Sequence, residues 1–149
     1  AAAMTPEDVQ AMLREDRDEW EALKAVLDAR PEGPLHDPES PEWTSRDVYT
    51  HLATMMEGST KQLEAKLAGR PVPQPPSGLS EDEVNARIQQ AHSDMSLAEA
   101  RAWGQRAFDA MLRAIESVPL ERWHGELEFY ARADGSAHYR GHRRYVVAD

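Results

Sequence analysis

The chain has 149 residues, 40% hydrophobic and 30% charged, and its 27 acidic against 17 basic side chains leave a formal net charge of −10. That length suits one domain spanning residues 1–149, and the acidic balance repels phosphate backbones, which argues against general nucleic-acid binding. No apolar run approaches the roughly 18 residues of a membrane span, and the lack of cysteine removes disulfides, thiolate metal sites and a cysteine nucleophile together.

Residues 1–3, three alanines ahead of Met4, read as a leftover of cloning and stay outside the fold argument. The first residues have neither the basic start nor the apolar core of a secretory signal, so a cytoplasmic protein is expected. Residues 6–30 are helical by pattern. Val9, Met12, Leu13, Trp20, Leu23, Val26 and Leu27 recur at three- and four-residue steps, with Thr5 as N-cap, Pro6 in the first position and Asp16 interrupting the stripe. A proline-rich loop, residues 31–43, precedes Trp43-Thr44-Ser45-Arg46-Asp47, where Thr44 can cap a second helix and Asp47 suits its first turn. That helix carries Val48, Leu52, Met55, Met56, Leu63 and Leu67 on one stripe and should end near Gly69, before the stiff proline-rich connector of residues 70–76. Two capping boxes follow, at Ser80–Glu83 and Ser96–Glu99, opening a short helix to about His92 and a longer one to about Val118. Residues 120–133 are the least helical, a loop or a short extended piece. Asp134-Gly135-Ser136 then caps a last helix from Ala137 to about Val147. The expected class is all-α: a four-helix bundle with long crossover connections.

His138-Tyr139-Arg140-Gly141-His142 is the sharpest chemical feature. On a helix, residues i and i+4 share one face about 6 Å apart, so two imidazoles can reach one metal ion. The bland alternative is a pair of surface histidines suited to the end of a helix dipole. His138 and His142 share an arc with Tyr145 and Val146, so both imidazoles are expected to point inward. His51 lies on the flank of the second helix's stripe, and packing that helix against the last one would bring it to the pair. Three imidazoles would then hold a divalent ion with an open position. Tyr139 stands where a zincin motif needs glutamate, which disfavours a peptidase.

The stretch from Trp43 to Leu52 resembles the W-[ST]-x-[RK]-[DE]-[VL]-x-x-H-L signature of the DinB-like superfamily, and His138 with His142 resembles its second, H-x-x-x-H block. That superfamily includes the N-terminal domain of mycothiol-dependent maleylpyruvate isomerase and bacterial thiol transferases. The resemblance implies a four-helix bundle and a divalent metal held by His51, His138 and His142. Asn85 followed by Ser96-Leu97-Ala98-Glu99 is also similar to a branch that includes a colibactin self-resistance protein, some of whose members lack the triad.

The functional expectation is a metal-dependent enzyme, first a thiol-dependent S-transferase acting on small electrophiles in detoxification. The alternatives are a metal-dependent hydrolase and a non-catalytic small-molecule binder. Three imidazoles suit zinc, nickel, iron or copper. Without cysteine, any thiolate must come from a low-molecular-weight cosubstrate. Arg140, Arg143 and Arg144 can receive that cosubstrate's carboxylate or merely complement the helix dipole. Trp43 can cover the site or staple the helix start, Tyr139 can act as acid or base, and Met55, Met56 and Met111 read as core filler. A homodimer is a further expectation; a nucleic-acid or membrane partner is not.

Overall fold

The computed structural model describes residues 4–35 and 42–146, apart from the side chains at 145 and 146. The three leading alanines, part of the proline-rich loop and residues 147–149, on which the expected end of the last helix falls, lie outside the described residues. Six α-helices form, and no strand occurs among the described residues: α1 (Pro6–Ala29), α2 (Ser45–Leu67), α3 (Glu81–Ala91), α4 (Leu97–Glu116), α5 (Glu126–Arg132) and α6 (Ser136–Val146), with a 3-10 turn at Leu120–Arg122. The chain is all-helical, and no described helix is long and apolar enough to cross a membrane.

The helix starts follow from local chemistry. Thr5 Oγ1 accepts the Asp8 amide at 3.1 Å while the Asp8 carboxylate accepts that of Thr5 at 2.9 Å, so two orphan donors of α1 are satisfied reciprocally. Ser80 and Glu83 repeat this at α3, and Ser96 Oγ accepts the Glu99 amide at α4. At α2 the carboxylate does most of the work. Asp47 accepts the Thr44 amide at 3.0 Å, and its two oxygens also take Arg46 and, from α3, Gln89.

Helix α2 lies along α4, α6 lies along α1, and both α3 and α5 rest on α2. Trp20 sits where these layers meet. Its ring stacks on Phe108 of α4 at 5.1 Å, tilts against Tyr139 of α6 at 5.3 Å and meets Tyr49 of α2 edge-on at 6.1 Å. Its indole N–H donates to Gln105 at 3.0 Å, so a fully buried aromatic leaves no polar atom stranded. Truncating such a residue costs about 3–5 kcal/mol.

Residues 126–132 correct the expectation of a loop or extended piece, being helical. The alternation of Glu126, Leu127, Glu128 and Phe129 imitates a strand, yet Phe129 is exposed. The buried residues are Leu127 and Ala131, one helical turn apart. Gly125, at φ +57°, supplies the left-handed turn that starts α5, and Glu126 and Glu128 favour its positive end.

Candidate metal centre

The block from Trp43 to Leu52 docks the start of α2 onto the end of α1. Ser45 Oγ lies within hydrogen-bond reach of the carbonyls of Leu27 (2.9 Å) and Arg30 (2.7 Å), at the end where α1 leaves carbonyls without helical partners. Tyr49 donates its hydroxyl to Asp28 at 3.0 Å, and Arg46 reaches the Ser93 carbonyl between α3 and α4. These bonds fix the first two turns of α2 and thereby the place of His51, which is buried.

Helix α6 brings the other two imidazoles. Its start is held from outside, because Asp16 of α1 accepts the Ser136 amide at 2.8 Å. Gly135 makes this approach possible: a Cβ there would fall 2.6 Å from Asp16 Oδ1. The local sequence assigns the cap to Asp134-Gly135-Ser136 alone, but the acceptor comes from more than a hundred residues away. Asp16, which in the sequence only interrupts a stripe, is buried, and its second oxygen has no hydrogen-bond partner among the described residues. Burial pushes its carboxyl up to about 6.

The three candidate ligands converge. Nε2 of His138 lies 3.3 Å from Nε2 of His51 and 3.1 Å from Nε2 of His142, and one nitrogen from each residue falls within 4.8 Å of the others. Nitrogens bound about 2.1 Å from one ion stand roughly 3.0–3.5 Å apart at ordinary coordination angles, so the set fits a cation. Trp43 closes one side of the cluster, its ring 5.0 Å from that of His51 and nearly parallel to that of His142 at 6.4 Å. It is buried at the cluster, in keeping with a covering role.

His51 reaches the pair although α6 packs chiefly along α1, so the expected direct packing of the second and last helices is only partly realised. The innermost described side chain of α6 is Tyr139, not a histidine. It is fully buried, donates its hydroxyl to Met56 Sδ at 3.0 Å, and has its proton held more tightly by burial and by the negative charges of Asp16 and Asp134. That removes it as an acid or base at the site. His138 and His142 occupy the half-buried flank, while the side chains of Tyr145 and Val146 lie outside the described residues. Arg140 and Arg143 are engaged by α1: Arg140 bonds Glu15 at 2.7 Å and Glu19 at 3.4 Å, and Arg143 bonds Glu19 at 2.8 Å. They clasp α6 to α1 instead of awaiting a carboxylate; Arg144 is exposed. Met56 and Met111 are core residues, and Met55 is half-buried.

Sequence reasoning passes over Asp134 and Ser59. Asp134 Oδ1 lies 3.3 Å from Nδ1 of His138, and its other oxygen accepts the Ser59 hydroxyl. The contact lacks hydrogen-bond geometry at Nδ1, but a carboxylate at that distance favours a proton on the near nitrogen, which leaves the far one free for a metal. The available signal is spacing, since Asp134, His138 and His142 fall four residues apart.

No curated protein and no solved structure matches the chain in the comparisons. A family model described as the mycothiol maleylpyruvate isomerase N-terminal domain matches residues 13–145. With that match over most of its length, the chain belongs to this family, within the DinB-like superfamily.

Proposed function

We propose that the protein is a divalent-metal-dependent S-transferase that joins a low-molecular-weight thiol to a small electrophile. The convergence of three imidazole nitrogens on one point carries this reading. His51, His138 and His142 would hold the ion, and α1, α2, α4 and α6 would form a four-helix bundle around Trp20 within a single domain. When bound, such an ion lowers the proton affinity of a thiol or water that reaches its open position. The chain's own groups do the rest: Asp134, held by Ser59, sets its negative charge beside Nδ1 of His138, and Trp43 keeps water from one side. With no cysteine available, the sulfur nucleophile comes from a bound cosubstrate. Its sulfur forms the new bond to carbon, and its proton leaves with the displaced anion or returns to the product. A cytoplasmic setting, where such thiols stay reduced, suits the reading.

A metal-dependent hydrolase is the second reading, supported by the same three-histidine donor set, which also suits water activation. Metal analysis of untagged protein, followed by a panel of biological thiols with a generic chromogenic electrophile, tests both. Stoichiometric metal and turnover with one thiol are expected. Metal without turnover by any thiol would turn the assignment to hydrolysis, and no stoichiometric metal would remove both.

A further inference from the structure

A cavity of about 500 Å³ opens between α2, the proline-rich connector and α3. That volume falls in the range of small-molecule sites, about 300–1,000 Å³. The connector forms a wall because Gln62 of α2 donates to the Pro73 carbonyl at 3.0 Å. The lining is mostly apolar, with Met55, Leu79, Val84 and Ile88 joined by three of the connector prolines. Ser59 and Asp134 also line it, and Asp134 is the carboxylate that lies against His138. The cavity therefore adjoins the histidine cluster through a shared residue.

Two cations line the cavity, Lys61 of α2 and Arg87 of α3. Both are exposed, and neither has an ion pair among the described residues, a state they share with Arg106 and Arg113 of α4. The lining sets these two cations against one carboxylate, Asp134, whose oxygens already face Ser59 and His138, so it is net positive in a chain of net charge −10. The lining thus offers apolar area together with positive charge, which a small apolar molecule carrying one anionic group would satisfy at both ends.

We propose that this cavity binds a small, largely apolar organic anion, its hydrocarbon part against Met55, Leu79, Val84 and Ile88 and its anionic group toward Lys61 and Arg87. The further statement that this anion is the electrophile of the S-transferase rests on the function proposed above; the binding itself does not.

Two fluorescent probes of matched ring system test it: anilinonaphthalene sulfonate and its neutral parent, phenylnaphthylamine. Titrations use the full chain without thiol, with and without chelator. The sulfonate is expected to bind at least tenfold more tightly than the parent. In the double variant Lys61→Gln/Arg87→Gln the sulfonate falls to the parent's affinity while the parent is unchanged. Gly58→Leu supplies a control that should fold, because a Cβ at Gly58 meets nothing within 4 Å and leucine favours a helix interior over glycine. It fills the cavity from α2 and is expected to abolish binding of both probes with an unchanged or raised melting temperature. Equal affinity for the two probes, or sulfonate binding that survives Gly58→Leu, would overturn the proposal. Anion-selective binding in a protein with no thiol turnover would refute the S-transferase and leave this site standing. Turnover without anion preference would do the reverse.

Discussion

The Asp134 carboxylate stands 3.3 Å from Nδ1 of His138, and Ser59 of α2 holds its far oxygen. This chain of contacts ties α2 to α6 behind the histidine cluster, so the orientation of one imidazole depends on both helices. Asp134→Asn keeps the shape but loses the charge that favours the Nδ1–H tautomer. It is expected to weaken zinc binding about 10–100-fold in a competitive chelator titration, with the helical circular dichroism unchanged. Ser59→Ala should weaken it less. Undiminished affinity in Asp134→Asn would make the carboxylate a purely structural group.

Loss of a ligand has a different signature. A ligand at a hundredfold excess over its dissociation constant stabilises a native protein by about 2.7 kcal/mol. Zinc is therefore expected to raise the melting temperature of the wild type by several degrees and to leave His51→Ala and His142→Ala unmoved. A rise of equal size in either variant would show that its imidazole does not hold the ion.

Asp16 predicts a pH dependence. Its carboxyl titrates at about 6 in the fold against an ordinary 3.8, because burial disfavours the charged form. The fold thus prefers the protonated acid. This group's contribution is greatest below pH 3.8 and falls as pH rises through 6, by at most about 3 kcal/mol. Asp16→Asn keeps an acceptor for the Ser136 amide without the charge. It is expected to exceed the wild type in stability by about 1–3 kcal/mol at about pH 7.5 and to match it near pH 4, measured by urea denaturation. A gain of equal size at both pH values would contradict the assignment.

Gly135→Ala probes the same contact by crowding it. Its methyl would fall 2.6 Å from Asp16 Oδ1, against a buried carboxylate that cannot withdraw freely. The expected loss is about 2 kcal/mol or more of stability, with weaker zinc binding because the start of α6 is displaced. A stable variant of normal zinc affinity would show that α6 tolerates the shift.

Tyr139 distinguishes chemistry from packing. Among the described residues its hydroxyl bonds only a thioether sulfur, a weak acceptor, inside the core. Tyr139→Phe should therefore change stability by less than about 1 kcal/mol and leave both zinc affinity and any thiol turnover intact. A selective loss of turnover would return the phenol to the reaction.

Much of this protein is legible in its amino-acid order. Thr5, Ser80 and Ser96 announce helix starts because capping needs only a hydroxyl and an amide three residues away. The apolar spacing of α1, α2 and α4 names their buried faces, since a helix repeats every 3.6 residues whatever it packs against. The block from Trp43 to His51 and the spacing of His138 and His142 mark the three imidazoles that the fold brings together. Residues 126–132 mislead because a seven-residue helix with two buried positions is too short for its period to show. Tyr139 and the arginines keep two readings in the sequence because it does not say which arc of α6 faces α1.

Sequence alone determined what is local: the helical class, the caps, the absence of thiols and the identity of the imidazoles. Tertiary structure decided what depends on distance through space. It set Asp16 beneath the first turn of α6, Asp134 behind His138, and Glu15 and Glu19 against the arginines. Among the described residues it left Lys61 and Arg87 without carboxylate partners beside an apolar hollow. A side chain's partner across a hundred residues is chosen by how helices pack, and that choice leaves no periodic trace in either segment.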